Sequence, residues 1–464
     1  MSTRKTTSKK TAASTKKSAA KKIPVQANVP ALTAMPPGGA IGKPIFAEPT
    51  TTTDPTKYKV PHASDTQAYG EMDALIKASK FLPLPFPSSA ETEPVLTLAE
   101  VLGGSGDSVV KAVQAAGRIV FHSAGDTGAT RGPTTENRVV DKMLADFADE
   151  EAGAVPQFFY NLGDIVYSFG EHKYYYDQFY EAYRDYPGPI LAIPGNHDGI
   201  VLPPPAGANI RSLDAFLSNF CTEDFAHATD AMGLSRTTMI QPGVYFTLEA
   251  PFVRILGLYS NMLENPGVIS TTVDPSTKVA KFPQLTDVQL DFLTAALARI
   301  NKEKFKGAVI LAVHHPPYAF GGHSGSMVML KEIDAICDAA GVWPHAVISG
   351  HAHNYQRYTR GIGTRQIPFV ICGNGGHGLQ TISRGTTLRT PQAMPLFAQP
   401  ERKDTVTFES YDDKNYGYMR VLVDSAQLRI EYHPASDGTT TKTPDDFVTV
   451  DLATGTLVHY NPPA

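Results

Sequence analysis

Cysteine is scarce in this chain: Cys221, Cys337 and Cys372 are the only three among 464 residues. Three cannot build a disulfide framework, and their spacing matches no zinc motif. They read as buried thiols. Long apolar runs are missing as well. The longest, such as Ala308 to Val313, fall far short of the ~20 residues that a membrane-spanning helix needs. The N-terminal region shows no apolar stretch of the kind that marks a secretory signal, so a cytoplasmic location is expected. No internal repeat stands out. Acids are absent from the first 44 residues, which carry nine Lys and Arg. The whole chain has a formal net charge of -5, so about -14 falls on the remainder. An acidic body argues against general nucleic-acid binding. Contact with nucleic acid or another polyanion is left to the basic tail alone.

Apolar residues make up 42% of the chain, enough for a sizeable core. Residues 1 to 60 are rich in Lys, Thr, Ala and Pro without periodicity and read as a disordered basic tail and linker. Residues 61–116 form a helical preface, with helices expected at 68–80, 96–103 and 107–116. From residue 117 the pattern changes. Short apolar runs predict strands at 118–124, 157–161, 189–193, 244–249, 253–258, 308–313, 345–349, 367–372, 418–423 and 427–432. Helical periodicity marks 136–149, 172–184, 211–219, 286–301 and 326–340. This alternation predicts an α/β fold of layered sheets over 117–435, with 436–464 as a C-terminal extension packing on it or trailing from it. Residues 199–242 and 374–415 carry few signals and are candidate rims of a site.

Five short motifs follow predicted strands. They are Gly125-Asp126, Gly163-Asp164, Gly195-Asn196-His197-Asp198, His314-His315 and Gly350-His351-Ala352-His353. Ligands collect at the carboxyl ends of strands in open α/β sheets, so the five can converge on one crevice. Glycine before the polar residue suits a sharp turn close to an ion. Carboxylate, amide and imidazole together suit Mn, Fe or Zn rather than a thiolate site. Each motif alone is as well explained by a turn or a surface loop. Five in order, each after a strand, are not.

This order of motifs resembles the calcineurin-like metallophosphoesterase superfamily over residues 118 to 433. The resemblance implies a sandwich of two mixed β-sheets flanked by helices. Many members begin with Asp-x-His, but here Gly128 stands two residues after Asp126. Tyr167, three residues after Asp164, instead completes Gly-Asp-x-x-Tyr, as in purple acid phosphatases. Gly350-His351-Ala352-His353-Asn354-Tyr355-Gln356-Arg357 and His323 also look like that branch. Two departures stand against it: residues 24 to 116 do not read as the β-sandwich domain of plant-type members, and the secretory signal usual in the family is not visible.

By this resemblance Asp126, Asp164, Tyr167 and His353 hold a first metal, and Asp164, Asn196, His314 and His351 a second. The implied ions are Fe(III) with a divalent Fe, Zn or Mn, or else two divalent ions. Such a pair clamps both oxygens of an in-line displacement and supplies hydroxide near neutral pH. His197 resembles the histidine that assists the leaving group, and Asp198 is expected to orient it. His323 resembles the additional active-site histidine of that branch. His315 is expected to point away, His377 is a possible pocket residue, and Arg357 is read as structural. The implied activity is hydrolysis of a small phosphate ester, with a phosphomonoesterase as first reading. A phosphodiesterase or nucleotidase on the same core is the alternative. A non-catalytic polyanion-binding protein is the reading from another class, and the complete ligand set opposes it.

Overall fold

Continuous apolar runs such as Ala308–Val313 form strands buried on both faces, and this is what parallel sheets covered by helices require. The computed structural model describes residues 42–47 and 67–461, apart from 79, 81, 88, 149–152, 202–210, 275, 383–386 and 436–442. Of the expected tail, only 42–47 falls within these bounds. There the Ile45 N–H donates to Thr237 Oγ1 at 3.0 Å, and the Thr237 N–H donates to Ile45 O at 3.0 Å. Among the described residues no helix is long and apolar enough to cross a membrane.

Two mixed sheets form the sandwich. The nine-stranded sheet runs Val95–Thr97, Phe246–Ala250, Val253–Leu258, Ala308–Val313, Ala346–Ser349, Arg365–Cys372, Tyr355–Ile362, Thr405–Asp412, Gln392–Ala393. Its centre, from Val253–Leu258 to Arg365–Cys372, is parallel. The seven-stranded sheet runs Thr456–Leu457, Asp446–Asp451, Gln427–Pro434, Gly417–Asp424, Arg118–Ala124, Pro156–Asn161, Ile190–Ala192. Its last three strands are parallel. Helices Val288–Glu303 and Met327–Ala340 lie against each other and bury Phe292, Leu293, Leu297, Met329, Leu330 and Ile333. The second helix starts where Ser326 Oγ accepts from the Met329 N–H and stops at Gly341, φ 64°.

The preface joins the core. Val95–Thr97 pairs in parallel with Phe246–Ala250 and becomes an edge of the larger sheet. The Gln67–Lys77 helix buries Met72 and Ile76, four positions apart, and leaves Lys77 and Asp73 to pair at its outer side. At the other end of the chain, Asp446–Asp451 extends the seven-stranded sheet antiparallel to Gln427–Pro434.

The expected helix over 172–184 is corrected. A 3-10 turn, His172–Tyr174, leads into a π-helical turn, Tyr176–Tyr180. Tyr174, Tyr175, Tyr176, Phe179, Tyr180 and Tyr183 are all buried, so no single apolar stripe sets a 3.6-residue period. The helix expected at 96–103 is also shorter. Strand Val95–Thr97 takes its first residues, and Leu98–Val101 follows behind a Thr97–Glu100 capping box. The three cysteines are buried and unpaired.

One buried acid makes a stability prediction. Glu136, on helix Thr134–Ala145, is fully buried, and neither carboxylate oxygen has a hydrogen-bond partner among the described residues. Burial, with the Asp177 charge, pushes its carboxyl well above the usual range. In the unfolded chain the group ionises near its ordinary pKa, whereas in the fold it keeps its proton. Stability therefore falls as pH rises from the unfolded pKa toward the folded one. Glu136→Gln removes that loss. Urea unfolding is expected to show the variant equal to the parent near pH 4 and roughly 1–3 kcal/mol more stable at pH 8. A gap that does not change with pH refutes the account.

Candidate metal centre

Every motif lies where a parallel strand leaves its sheet at the carboxyl end. Asp126 follows Arg118–Ala124, and Asp164 follows Pro156–Asn161. Asn196 follows Ile190–Ala192, His314 follows Ala308–Val313, and His351 and His353 follow Ala346–Ser349. Backbone bonds tie these exits together across the two sheets. Gly125 donates to Cys372 O at 2.8 Å, Asp126 to Gly163 O at 2.8 Å, and Gly350 to His314 O at 3.1 Å. The His351 N–H donates to Asp126 Oδ2 at 2.7 Å, which leaves Oδ1 facing the site.

Three of these residues hold backbone angles that non-glycine residues avoid. The φ of Asp126 is 56°, of Asp164 55° and of His351 69°. Such strain costs of order 1–3 kcal/mol at each position and collects at functional sites. Glycine is required beside them. A Cβ on Gly350 would meet Asp126 Oδ2 at 2.7 Å, and one on Gly163, φ 96°, would meet Gly195 Cα at 2.7 Å.

The donor atoms gather in two adjoining groups. Tyr167 Oη lies 3.1 Å from Asp126 Oδ1 and 3.3 Å from His353 Nε2, and those two atoms are 3.4 Å apart. Asp164 belongs to the same group: atoms of Asp126, Asp164 and His353 all lie within 4.8 Å of one another. In the second group, Asn196 Oδ1 lies 3.1 Å from both His314 Nε2 and His351 Nδ1. Asp164 Oδ2 is 3.4 Å from His314 Nε2, so this carboxylate faces both groups. Atoms that share an ion at ~2.0–2.2 Å sit roughly 3.0–3.4 Å from one another. The measured separations fit that spacing.

Burial sharpens the fit. Asp164 Oδ2 is buried with no hydrogen-bond partner among the described residues, a state that costs free energy unless a cation meets it. Burial opposes ionisation of Asp164, but the charges of His314 and His197 outweigh it and hold the carboxyl below the usual range. Burial and the neighbouring histidines hold His351 neutral, its ligating form. Burial, then the charges of Asp126 and Asp164, pushes the Tyr167 phenol well above 10. The residues present therefore suit two cations.

His197 is outside both groups. Its backbone N–H donates to Asp164 Oδ1 at 2.8 Å, its Nδ1 meets Ser168 O at 2.9 Å, and its ring lies 4.4 Å from that of Tyr167. Asp198 does not orient it, and that expectation is corrected. Asp198 Oδ2 accepts the N–H of Gly195 at 2.8 Å and of Asp164 at 2.9 Å, and Oδ1 accepts those of Ile165 at 3.1 Å and Val166 at 3.3 Å. The physical reason is that it stands third in the short turn Asn196–Gly199 and reaches back to its start, so it holds the Asp164 loop in place. His323 enters the site, 4.3 Å from the His351 ring and 5.5 Å from that of His353, with Gln380 Nε2 at 2.5 Å from its Nε2.

His315 turns away, as expected: its Nδ1 meets Ser260 Oγ and its Nε2 meets Leu263 O, each at 2.7 Å. His377 stacks on Tyr167 with ring centres 3.6 Å apart and meets Gly128 O at 2.9 Å. Arg357 is structural, pairing with Asp446 through Nε at 2.7 Å and Nη2 at 2.9 Å. The groups open into a cavity of about 770 Å³. Its walls include Tyr69, Arg131, Glu264 and Tyr416, which lie in no motif and which the sequence did not mark, and Gln380, which falls within the expected rim 374–415.

The family model described as calcineurin-like phosphoesterase matches residues 124–355, half of the chain. Among solved structures, the chain is similar to GAP50, described as the anchor in the inner membrane complex of Plasmodium. The identity is 13% and the TM-score 0.43, over 70% of this chain and 86% of that one. It is similar to PhoD at 13% identity and TM-score 0.41, over 74% and 72%. It is similar also to a dimetal phosphatase from Danio rerio at 11% identity and TM-score 0.38, over 68% and 96%. No curated protein sequence matches it. The chain belongs to the calcineurin-like phosphoesterase family, whose members are metal-dependent hydrolases of phosphate esters.

Proposed function

We propose that the chain is a phosphomonoesterase of the purple acid phosphatase type, with residues 117–435 as its catalytic domain. One observation carries this reading. Where other branches have the histidine of Asp-x-His, this chain has Gly128, and the Tyr167 hydroxyl fills the first donor group at 3.1 Å from Asp126 Oδ1. Asp126, Asp164, Tyr167 and His353 would hold one ion, read as ferric. Asp164, Asn196, His314 and His351 would hold the other, a divalent Fe, Zn or Mn. When bound, such ions acidify water and polarise the phosphoryl group. The chain supplies the rest. Asp198 fixes the Asp164 loop through the backbone amides of Asp164, Ile165 and Val166, and the wall of His351, His323 and His377 limits water. His197 moves a proton at Nε2 toward the departing ester oxygen, and His323 stands where it can touch the phosphoryl oxygens.

The test is phosphate release from protein loaded with iron plus zinc or manganese. Aryl and alkyl monoesters are expected to exceed bis(p-nitrophenyl) phosphate by about tenfold or more in kcat/KM, a difference of about 1.4 kcal/mol in transition-state binding. Preference for the diester replaces this reading with the phosphodiesterase alternative.

Colour tests the branch separately. A phenol that burial and two carboxylates keep neutral ionises only beside a strong positive charge. Iron-loaded protein is therefore expected to be pink to violet from phenolate-to-iron charge transfer. Tyr167→Phe keeps the ring stacked on His377, removes the oxygen, and is expected to bleach the colour and weaken the first ion. A colourless, active protein with two divalent ions, unchanged by Tyr167→Phe, puts the chain outside the purple branch.

A further inference from the structure

The Gln67–Lys77 helix lies outside the matched family segment, yet it reaches the cavity. Buried Met72 and Ile76 fasten it to the body. One turn before Met72, Tyr69 lines the cavity wall. Its ring lies 5.1 Å from that of His197 and meets Phe169 edge-on at 6.0 Å. Its hydroxyl is 3.3 Å from His197 Nε2. The opposite ring nitrogen, Nδ1, is 2.9 Å from the Ser168 carbonyl oxygen, which can only accept. Nδ1 therefore carries the hydrogen, and Nε2 presents its lone pair to the Tyr69 O–H, which donates to it.

We propose that Tyr69 is a positioning residue for His197, supplied to the site by the N-terminal helix. It aims Nε2 at the leaving-group side of the cavity. Two bonds at opposite ends of the imidazole, to Ser168 and to Tyr69, fix both its tautomer and its rotation. The inference rests on the hydrolysis reading above. In that reaction a water oxygen bonds to phosphorus and the ester P–O bond breaks with its electron pair left on the ester oxygen. The Nε2 lone pair first collects the proton lost by the attacking water, and that proton then passes to the ester oxygen, which returns the histidine to its starting tautomer. Aim at Nε2 therefore matters most for an ester whose leaving oxygen needs the proton.

The test uses the full chain and Tyr69→Phe, which keeps the ring packing and removes only the hydroxyl. For an alkyl monoester kcat is expected to fall about 3–10-fold, the scale of one hydrogen bond, with KM unchanged. For p-nitrophenyl phosphate, whose leaving group departs as a stable anion, the fall is expected to stay below about 2-fold. In a His197→Ala background the same substitution is expected to change neither rate, because its effect runs through His197. Equal losses on both esters, or a loss that persists without His197, overturn the proposal.

A second measurement does not depend on turnover. Diethyl pyrocarbonate attacks a free imidazole lone pair, so carbethoxylation of His197, followed by peptide mass spectrometry, is expected to run about 3-fold or more faster in Tyr69→Phe. Equal labelling rates overturn the contact. Faster labelling in a protein that hydrolyses neither ester keeps the contact and refutes the hydrolysis reading instead.

Discussion

Asp164→Ala is expected to abolish phosphate release and metal retention together. Asp164 faces both donor groups: its Oδ2 lies 3.4 Å from His314 Nε2, and the same carboxylate groups with Asp126 and His353. Removing it leaves each ion one ligand short and deletes the charge that offsets two cations. The expected fall in kcat is at least ~10⁴-fold, with fewer than one ion retained per chain after dialysis. Alanine also carries a structural cost, because residue 164 sits at φ 55°. Asp164→Gly separates the two effects. Glycine is at ease in that conformation, so this variant is expected to melt at or above the parent temperature in metal-free buffer while still failing to bind ions. Two ions per chain by elemental analysis in either variant refutes the shared-carboxylate assignment.

The candidate site was legible because its signals are local. Asp126, Asp164, Asn196, His314 and His351 each stand within a few residues of a continuous apolar run, and such runs have few alternatives to a buried strand. Arg118–Ala124, Val253–Leu258 and Ala308–Val313 fall where the sequence places them for this reason. Strands whose pairing is set at long range were missed. Tyr355–Ile362 and Thr405–Asp412 interleave Gln, Arg, Thr, Glu and Ser with aromatics and pair antiparallel to each other although two further strands, Arg365–Cys372 and Gln392–Ala393, lie between them in the chain. The C-terminal strand Asp446–Asp451 is held by Tyr355 and Arg357 through Asp446, a contact spanning about 90 residues. No window of sequence contains it.

Misreadings at the site share one cause. Asp198 follows His197 in sequence, and adjacency suggested a carboxylate–imidazole pair. On the short turn Asn196–Gly199 neighbouring side chains diverge, and four backbone amides take the carboxylate instead. Tyr69 shows the converse. It lies 128 residues before His197, in a helix with no motif, and meets it only because Met72 and Ile76 dock that helix beside the cavity. Chemistry carried by a motif can be read from the chain, whereas chemistry assembled by packing cannot.

His197→Ala is expected to leave metal content intact and to slow turnover ~10²–10⁴-fold, the range for a positioned proton donor or acceptor. Its ring takes no part in either donor group. Nδ1 is committed to the Ser168 carbonyl at 2.9 Å, and Nε2 looks into the cavity toward Tyr69 at 3.3 Å. Its backbone N–H, which alanine retains, is what supports Asp164 Oδ1 at 2.8 Å. The substitution therefore removes an imidazole without loosening the carboxylate. The ring also packs 4.4 Å from Tyr167, so its loss opens a small cavity beside that phenol. His197→Phe refills this space without restoring a nitrogen. Both variants are expected to bind two ions and to lose similar amounts of kcat, with alkyl esters losing more than aryl ones. If His197→Ala sheds an ion, the histidine belongs among the ligands. If His197→Phe recovers most of the activity, the imidazole fills space rather than moving a proton.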